Sequence, residues 1–295
     1  MLPPTPMLTV IEPGRAGLGM NPLQIQPAEH LGPLGPAIRV SGILARWCGF
    51  DHVHRNLLLN IIVDAYERAG ITSWDTSTWQ RTPPTLREVR DLLDTYVQEV
   101  ETARHDIART LQAHLDMVGT YGLFRPDGAV LSWSRYFEGA EPSVVLLQLH
   151  GLDPTSRGII IDTIFADCHG YLRQVRPQQS TLYCLVDGAY NLSFGEDSPV
   201  DLILRDASQS GVGLVLTAQS IDDVGPVALA RIPAKVIFRS DGGTHIDLDQ
   251  ALSLQYPRLG TADEVASATL KLRRGSALYL HRDKEEFINI PEFRS

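Results

Sequence analysis

LYCLVDGAYNL, residues 182–192, is the stretch on which the fold turns. An apolar run, residues 182–186, delivers Asp187 to its carboxyl end, and Gly188 then turns the chain. A carboxylate at the tip of an apolar strand is costly unless its charge is matched. A Mg²⁺ ion held through water beside nucleotide phosphates is one good match, and a helix cap or turn is the alternative. Three further apolar runs flank this one: SVVLLQLHGL (143–152), VGLVLTAQS (212–220) and AKVIFRS (234–240). Asp153-Pro154 supplies a cap and a first helical residue for the segment after the first run, and Pro199 and Gly211 bracket a second helix. The runs are too continuous for half-exposed strands. Alternation of such strands with helices predicts a three-layer α/β fold with a mainly parallel sheet covered on both faces and joined by right-handed crossovers. Its strands are expected at 143–150, 181–187, 212–217 and 234–239, with two short strands, SALYLHR and EFINIPE, near the end.

Upstream, the organisation changes. Residues 1–36 are rich in Pro and Gly and read as loop, apart from a short strand at 7–11. Residues 37–140 read as a helical insertion, with helices within about 41–119, and 141–295 as the α/β core. HRNLLLNIIVDAYERAG has an apolar face at helical spacing and stops on Gly70. Thr85 and Glu88 form a capping box for a later helical stretch.

Bulk composition narrows the functional classes. A chain of 295 residues, 43% hydrophobic, can bury a substantial core, and a net charge of -9 argues against a surface coated with phosphate-binding groups. Cys48, Cys168 and Cys184 lack metal-ligand spacing and read as structural thiols. The first residues lack a signal-peptide pattern, and no apolar run approaches eighteen residues, so a soluble, cytoplasmic protein is expected.

Polar residues at strand ends, where ligands gather in parallel sheets, are Asp187, Gln219 and His150. With these in place, residues from about Asn21 onward resemble the ATPase domain of the HerA-like translocases and their conjugative relatives, within the FtsK-HerA group of ring-forming P-loop enzymes. LYCLVDGAYNL resembles that family's Walker B strand, which typically ends in Asp-Glu-Ala-His. LILRDASQSGVGLVLTAQSIDDV resembles the following helix, strand and glutamine sensor, and GMNPL an Asn-Pro-Leu turn after the second strand. AKVIFRS and RRGSALYL resemble the last core strands. The resemblance implies ATP and Mg²⁺ as ligands, Asp187 assisting the metal, and Gln219 sensing the terminal phosphate. It also places Arg205 and Arg239 at basic positions near the nucleotide, although surface salt bridges explain them equally well. Duplex DNA moved through a ring is the implied cargo, and a homo-oligomer or a related ATPase subunit the implied partner.

Departures from the family pattern are specific. A P-loop needs G-x-x-x-x-G-K-[ST], and none of Lys235, Lys271 or Lys284 follows a glycine-rich turn. The fold is therefore expected to lack its first βαβ unit, leaving a strand edge or an apolar helix face uncovered. Gly188 stands where the family carries the carboxylate that polarises water, Tyr190 where it carries His, and Ser208 where it usually carries a basic residue. Glu196 and Asp197 are the nearest loop carboxylates that could substitute. The implied function is the C-terminal portion of a DNA-translocating ATPase that does not hydrolyse ATP as an isolated chain. The alternative is a non-catalytic scaffold or regulatory subunit that assembles with an active ATPase.

Other candidates carry less. Asp51, His52 and His54 make a poor metal set and read as helix-start residues. His281-Arg282-Asp283 imitates a kinase tripeptide without its companion motifs. Trp74, Trp79 and Trp133 could stack on bases but read first as packing anchors.

Overall fold

The structure, a computed structural model, describes residues 7–27, 29–99, 102–120, 122–125, 127–138, 143–175, 182–220, 223–239, 270–281 and 284–289. The chain divides into two compact units, Met1–Leu185 with Asn191–Val215, and Val186–Tyr190 with Leu216–Ser295.

Along the first unit run β1 (Met7–Ile11), a short α1 (Pro13–Ala16), α2 (Leu34–Cys48), α3 (His52–Arg68), α4 (Leu86–Glu99), α5 (Thr102–Thr120), α6 (Trp133–Glu138), β2 (Ser143–Leu147), α7 (Pro154–Val175), β3 (Leu182–Val186), α8 (Pro199–Ser210) and β4 (Val212–Leu216). β1 and β2 pair in parallel, with Leu8 opposite Val144 and Val10 opposite Leu146. β3 and β4 also run together: Leu182 N donates to Gly211 O at 2.9 Å at one end, and Thr217 N donates to Val186 O at 3.0 Å at the other.

Local chemistry explains the helix limits. Asp153 Oδ1 accepts from Ser156 N at 3.0 Å to start α7, and Ser198 Oγ accepts from Asp201 N at 3.2 Å to start α8. The capping box forms, with Thr85 N donating to Glu88 Oε2 at 2.7 Å and Glu88 N to Thr85 Oγ1 at 3.3 Å. The helical stretch up to Gly70 consists of two helices, α2 and α3. Gly49 leaves α2 with a left-handed φ of 69°, and Asp51 Oδ1 accepts from Val53 N and His54 N, both at 2.9 Å, to begin α3.

A continuous core joins Ile43 and Leu44 of α2, Leu58, Ile61 and Ile62 of α3, Leu93 of α4, Leu111 of α5 and Ile159 and Ile160 of α7. Ile11 of β1 belongs to it, and Val145 and Leu147 of β2 pack against it. Trp47 lies against Gly158, where an added Cβ would stand 2.2 Å from the indole, so this close approach of α2 to α7 requires glycine. Deep in α7, the fully buried Asp162 accepts through Oδ2 from Trp47 Nε1 at 2.8 Å and from Arg46 Nη1 at 3.2 Å, while its Oδ1 has no hydrogen-bond partner. Burial pushes its carboxyl pKa up to about 6, against the opposing pull of the indole and the guanidinium.

β1 with β2 and β3 with β4 form two separate two-stranded sheets, and the outer side of each corrects the expectation of strands covered on both sides. Leu8 and Val10 of β1, Val144 and Leu146 of β2, Tyr183 and Leu185 of β3 and Val215 of β4 are all exposed, Leu185 at 74%. Alternate residues of each strand turn inward, so the strands are half-exposed after all. Bare sheet faces therefore add to the strand edge or helix face expected to be uncovered. Apolar continuity reports what a strand could bury, whereas among the described residues no layer lies over this side.

The second unit contains α9 (Pro226–Arg231) and an antiparallel sheet in the order β5 (Ala234–Ile237), β6 (Ser276–His281), β7 (Lys284–Asn289). Lys235 is buried, donates from Nζ to Ile232 O at 2.7 Å, and has its pKa lowered to about 8 by burial. Thr181, Ser240, Arg282, Asp283 and the end of EFINIPE fall outside the described residues.

Asp162 gives a pH test. Its carboxyl holds a proton to a higher pH in the folded chain than in the unfolded one, so its contribution to stability falls as pH rises from about 4 to about 6. Asp162→Asn removes that dependence. Urea unfolding is expected to show the variant gaining on the wild type by about 2–3 kcal/mol between pH 4 and pH 7, and a constant difference would refute the assignment.

Candidate functional site

Gly188 follows the tip of β3 with φ of 87°, a conformation that side chains with a Cβ rarely adopt. Its amide donates to Thr217 Oγ1 at 2.9 Å, and Thr217 Oγ1 donates to Asp187 Oδ1 at 2.7 Å. The backbone of the same threonine closes the arrangement. Thr217 N donates to Val186 O at 3.0 Å and Thr217 O accepts from Ala189 N at 2.7 Å. One residue just past β4 thus holds residues 186–189 through four hydrogen bonds. The glycine of the opening motif has a conformational reason to be there: the left-handed turn directs its amide to the threonine.

Asp187 and Thr217 are exposed, whereas Gly188 and Ala189 are buried. Gln219 is exposed two residues further on. Its amide donates to Asp223 Oδ2 at 3.2 Å and the Ser220 amide donates to the same oxygen at 3.1 Å, so Asp223 shapes the loop that carries Gln219. The structure therefore brings Asp187, Gly188 and Thr217 into direct contact and sets Gln219 on the adjoining turn. Sequence reasoning missed Thr217. Its signal was a hydroxyl at the end of an apolar run, two residues before Gln219.

The remaining candidates lie elsewhere along the chain. Arg239 is exposed, two residues beyond β5. Arg205 of α8 is held by Asp197 Oδ1 at 2.5 Å and Asp201 Oδ2 at 3.3 Å, the surface ion pairing its position allowed. That contact also engages Asp197, one of the two loop acids considered as substitutes. Glu196 and Asp197 line a cavity of about 800 Å³ together with Arg39 and Arg46 of α2 and His169 and Arg173 of α7. Arg39 there pairs with Glu29 at 3.5 Å and Arg46 with Asp162, so these two cations are matched internally. His150 is exposed beyond β2, Tyr190 is exposed, and Ser208 lies in α8. His54 Nδ1 meets Asp51 Oδ1 at 2.7 Å in the cap of α3, a helix-start arrangement. Trp79 donates to Thr72 O at 2.9 Å and Trp133 to Asp167 Oδ2 at 2.7 Å, as packing anchors do, whereas Trp74 is 78% exposed.

Among the described residues no group of three or more His, Cys, Asp or Glu could hold a metal. Asp187 offers a hard carboxylate oxygen, since no hydrogen bond among the described residues takes Oδ2. A single exposed carboxylate fits Mg²⁺, which keeps several waters and takes its other oxygens from phosphates. By itself it makes a weak site that meets an ion through water, and no group of three ligands surrounds it among the described residues. Asp187 would hold the ion through water, and the ion would supply charge neutralisation to phosphate oxygens.

The architecture matches known structures over almost all of its length. VirB4 of Thermoanaerobacter pseudethanolicus superposes with a TM-score of 0.69 at 16% identity, over 96% of this chain and 76% of that one. The fold is that of the P-loop ATPases VirB4 and TrwB. The unbound bacterial conjugative coupling protein TrwBdeltaN70 matches with a TM-score of 0.57 at 16% identity, over 98% of this chain and 79% of that one. The plasmid coupling protein TrwB in complex with ADP and Mg²⁺ matches with a TM-score of 0.58 at 15% identity and the same coverage. No protein-family model and no curated protein sequence matches the chain. Among the described residues no helix is long and apolar enough to cross a membrane.

The turn at Gly188 is testable. Gly188→Ala is expected to lower unfolding stability by about 1–2 kcal/mol, because the folded conformation is strained for any residue with a Cβ. A neutral or stabilising effect in urea denaturation would show that residue 188 is not left-handed.

Proposed function

We propose that this chain is the C-terminal portion of a HerA-like, ATP-dependent DNA-translocating ATPase and that it does not hydrolyse ATP by itself. The fold shared with VirB4 and TrwB supports the first half, and TrwB has been captured with ADP and Mg²⁺ and with a non-hydrolysable ATP analogue. The single observation that carries the second half is the tip of β3. Asp187 is present, but the next residue is a glycine in a turn locked to Thr217, and glycine has no group to take a proton from water or to orient it. The 295 residues also contain no G-x-x-x-x-G-K-[ST] segment to wrap phosphates with amides and neutralise them with lysine.

In this reading Asp187 supports Mg²⁺ and Gln219 stands toward the terminal phosphate, while Arg205 and Arg239 are the basic positions of the site. The Asp197 and Asp201 contacts make Arg205 the weaker of the two arginines. ATP would bind only where a phosphate-wrapping loop is supplied, and duplex DNA would be the cargo of the assembled ring. The purified chain is expected to release no phosphate from ATP above background, with Asp187→Ala indistinguishable from it. Steady-state release well above background that Asp187→Ala abolishes would overturn the proposal.

A second reading, a non-catalytic scaffold or regulatory subunit, is favoured by the bare apolar sides of two strand pairs, Leu8, Val10, Val144 and Leu146 on β1 and β2, and Tyr183, Leu185 and Val215 on β3 and β4. Soluble chains rarely leave such a patch uncovered. Sedimentation of the chain alone and mixed with an ATPase of the VirB4 and TrwB fold is expected to show association that Leu146→Asp weakens at least about tenfold. A stable monomer that ignores the ATPase would count against this reading.

A further inference from the structure

We infer that Thr217 is a positioning residue for Asp187, fixing its carboxylate so that Oδ2 remains available to a divalent cation. The inference rests on the reading of Asp187 as the metal-side acid, and it assigns a role to a residue that neither the motif nor the resemblance singles out.

The hydrogen-bond directions are forced. A hydroxyl has one proton to give and lone pairs to receive. The Gly188 amide can only donate, so at 2.9 Å the Thr217 oxygen must accept from it. An ionised carboxylate can only accept, so the Thr217 proton must go to Asp187 Oδ1, 2.7 Å away. The hydroxyl rotor therefore has one setting, and it spends Oδ1. Thr217 is itself pinned on both sides of Asp187, through its amide to Val186 O and through its carbonyl to Ala189 N. A carboxylate held in this way has already lost the rotamer freedom that an exposed aspartate would otherwise give up on binding an ion. A hydrogen bond to a charged group is also among the stronger kinds, so its removal should be felt at the ion. A merely structural threonine would steady the turn without changing what Asp187 can hold.

Mn²⁺ is the probe, read through paramagnetic broadening of the Gly188 and Ala189 amide signals in the full chain. Wild type is expected to broaden selectively at these amides, and Asp187→Asn to abolish the effect. Thr217→Val keeps the branched shape and removes the hydroxyl, and is expected to need about tenfold more Mn²⁺ for equal broadening. Thr217→Ser restores the hydroxyl and is expected to stay close to wild type. Thr217→Ala replaces the valine variant in the comparison if the latter does not fold. Broadening sensitive to Asp187→Asn but indifferent to loss of the hydroxyl, or a serine variant as weak as valine, would overturn the role of Thr217 alone. Absence of Asp187-dependent broadening in the wild type would overturn the metal-side reading of Asp187 and this inference with it.

Discussion

Parallel strands have no hairpin to tie their ends together, so whatever fixes the carboxyl ends fixes the place where ligands meet the sheet. Here Thr217 does so for the strands that bear the central motif. It joins Val186, Asp187, Gly188 and Ala189 through its amide, hydroxyl and carbonyl. The left-handed turn at Gly188 goes with that tie, since in this conformation the Gly188 amide donates to the hydroxyl. A glutamate at residue 188 would strain the turn and work against its contact with Thr217.

The same strands show how a fold can keep its inner face and leave its outer one open. Ile11, Val145 and Leu147 turn toward a core shared with α2, α3, α4, α5 and α7, while their neighbours Val10, Val144 and Leu146 are exposed. Burial on one side lets the unit form a continuous core. The uncovered apolar side is the feature that asks for a further layer.

Much of the architecture could be read locally. Thr85 with Glu88, Asp153 with Pro154, and Pro199 with Gly211 mark helix ends through local chemistry, and these were legible. The break at Gly49 to Asp51 uses the same chemistry, with a left-handed glycine ending α2 and an aspartate capping α3. Coverage of the sheet was not legible, because alternate residues of β2 and β3 are equally apolar on both faces. At the site, Asp187 stood out as an acid at a strand tip. Thr217 did not, since a β-branched residue in a strand needs no special reason. Its partner lies thirty positions away in sequence and adjacent only in the folded chain.

Amide hydrogen exchange at Gly188 and Ala189 in the wild-type chain tests the central claim most directly, that the tip of β3 is a locked, glutamate-free turn. Protection comparable with the interior of β4 is the predicted result, since both amides donate to Thr217. Exchange at the rate of an open loop would contradict the account.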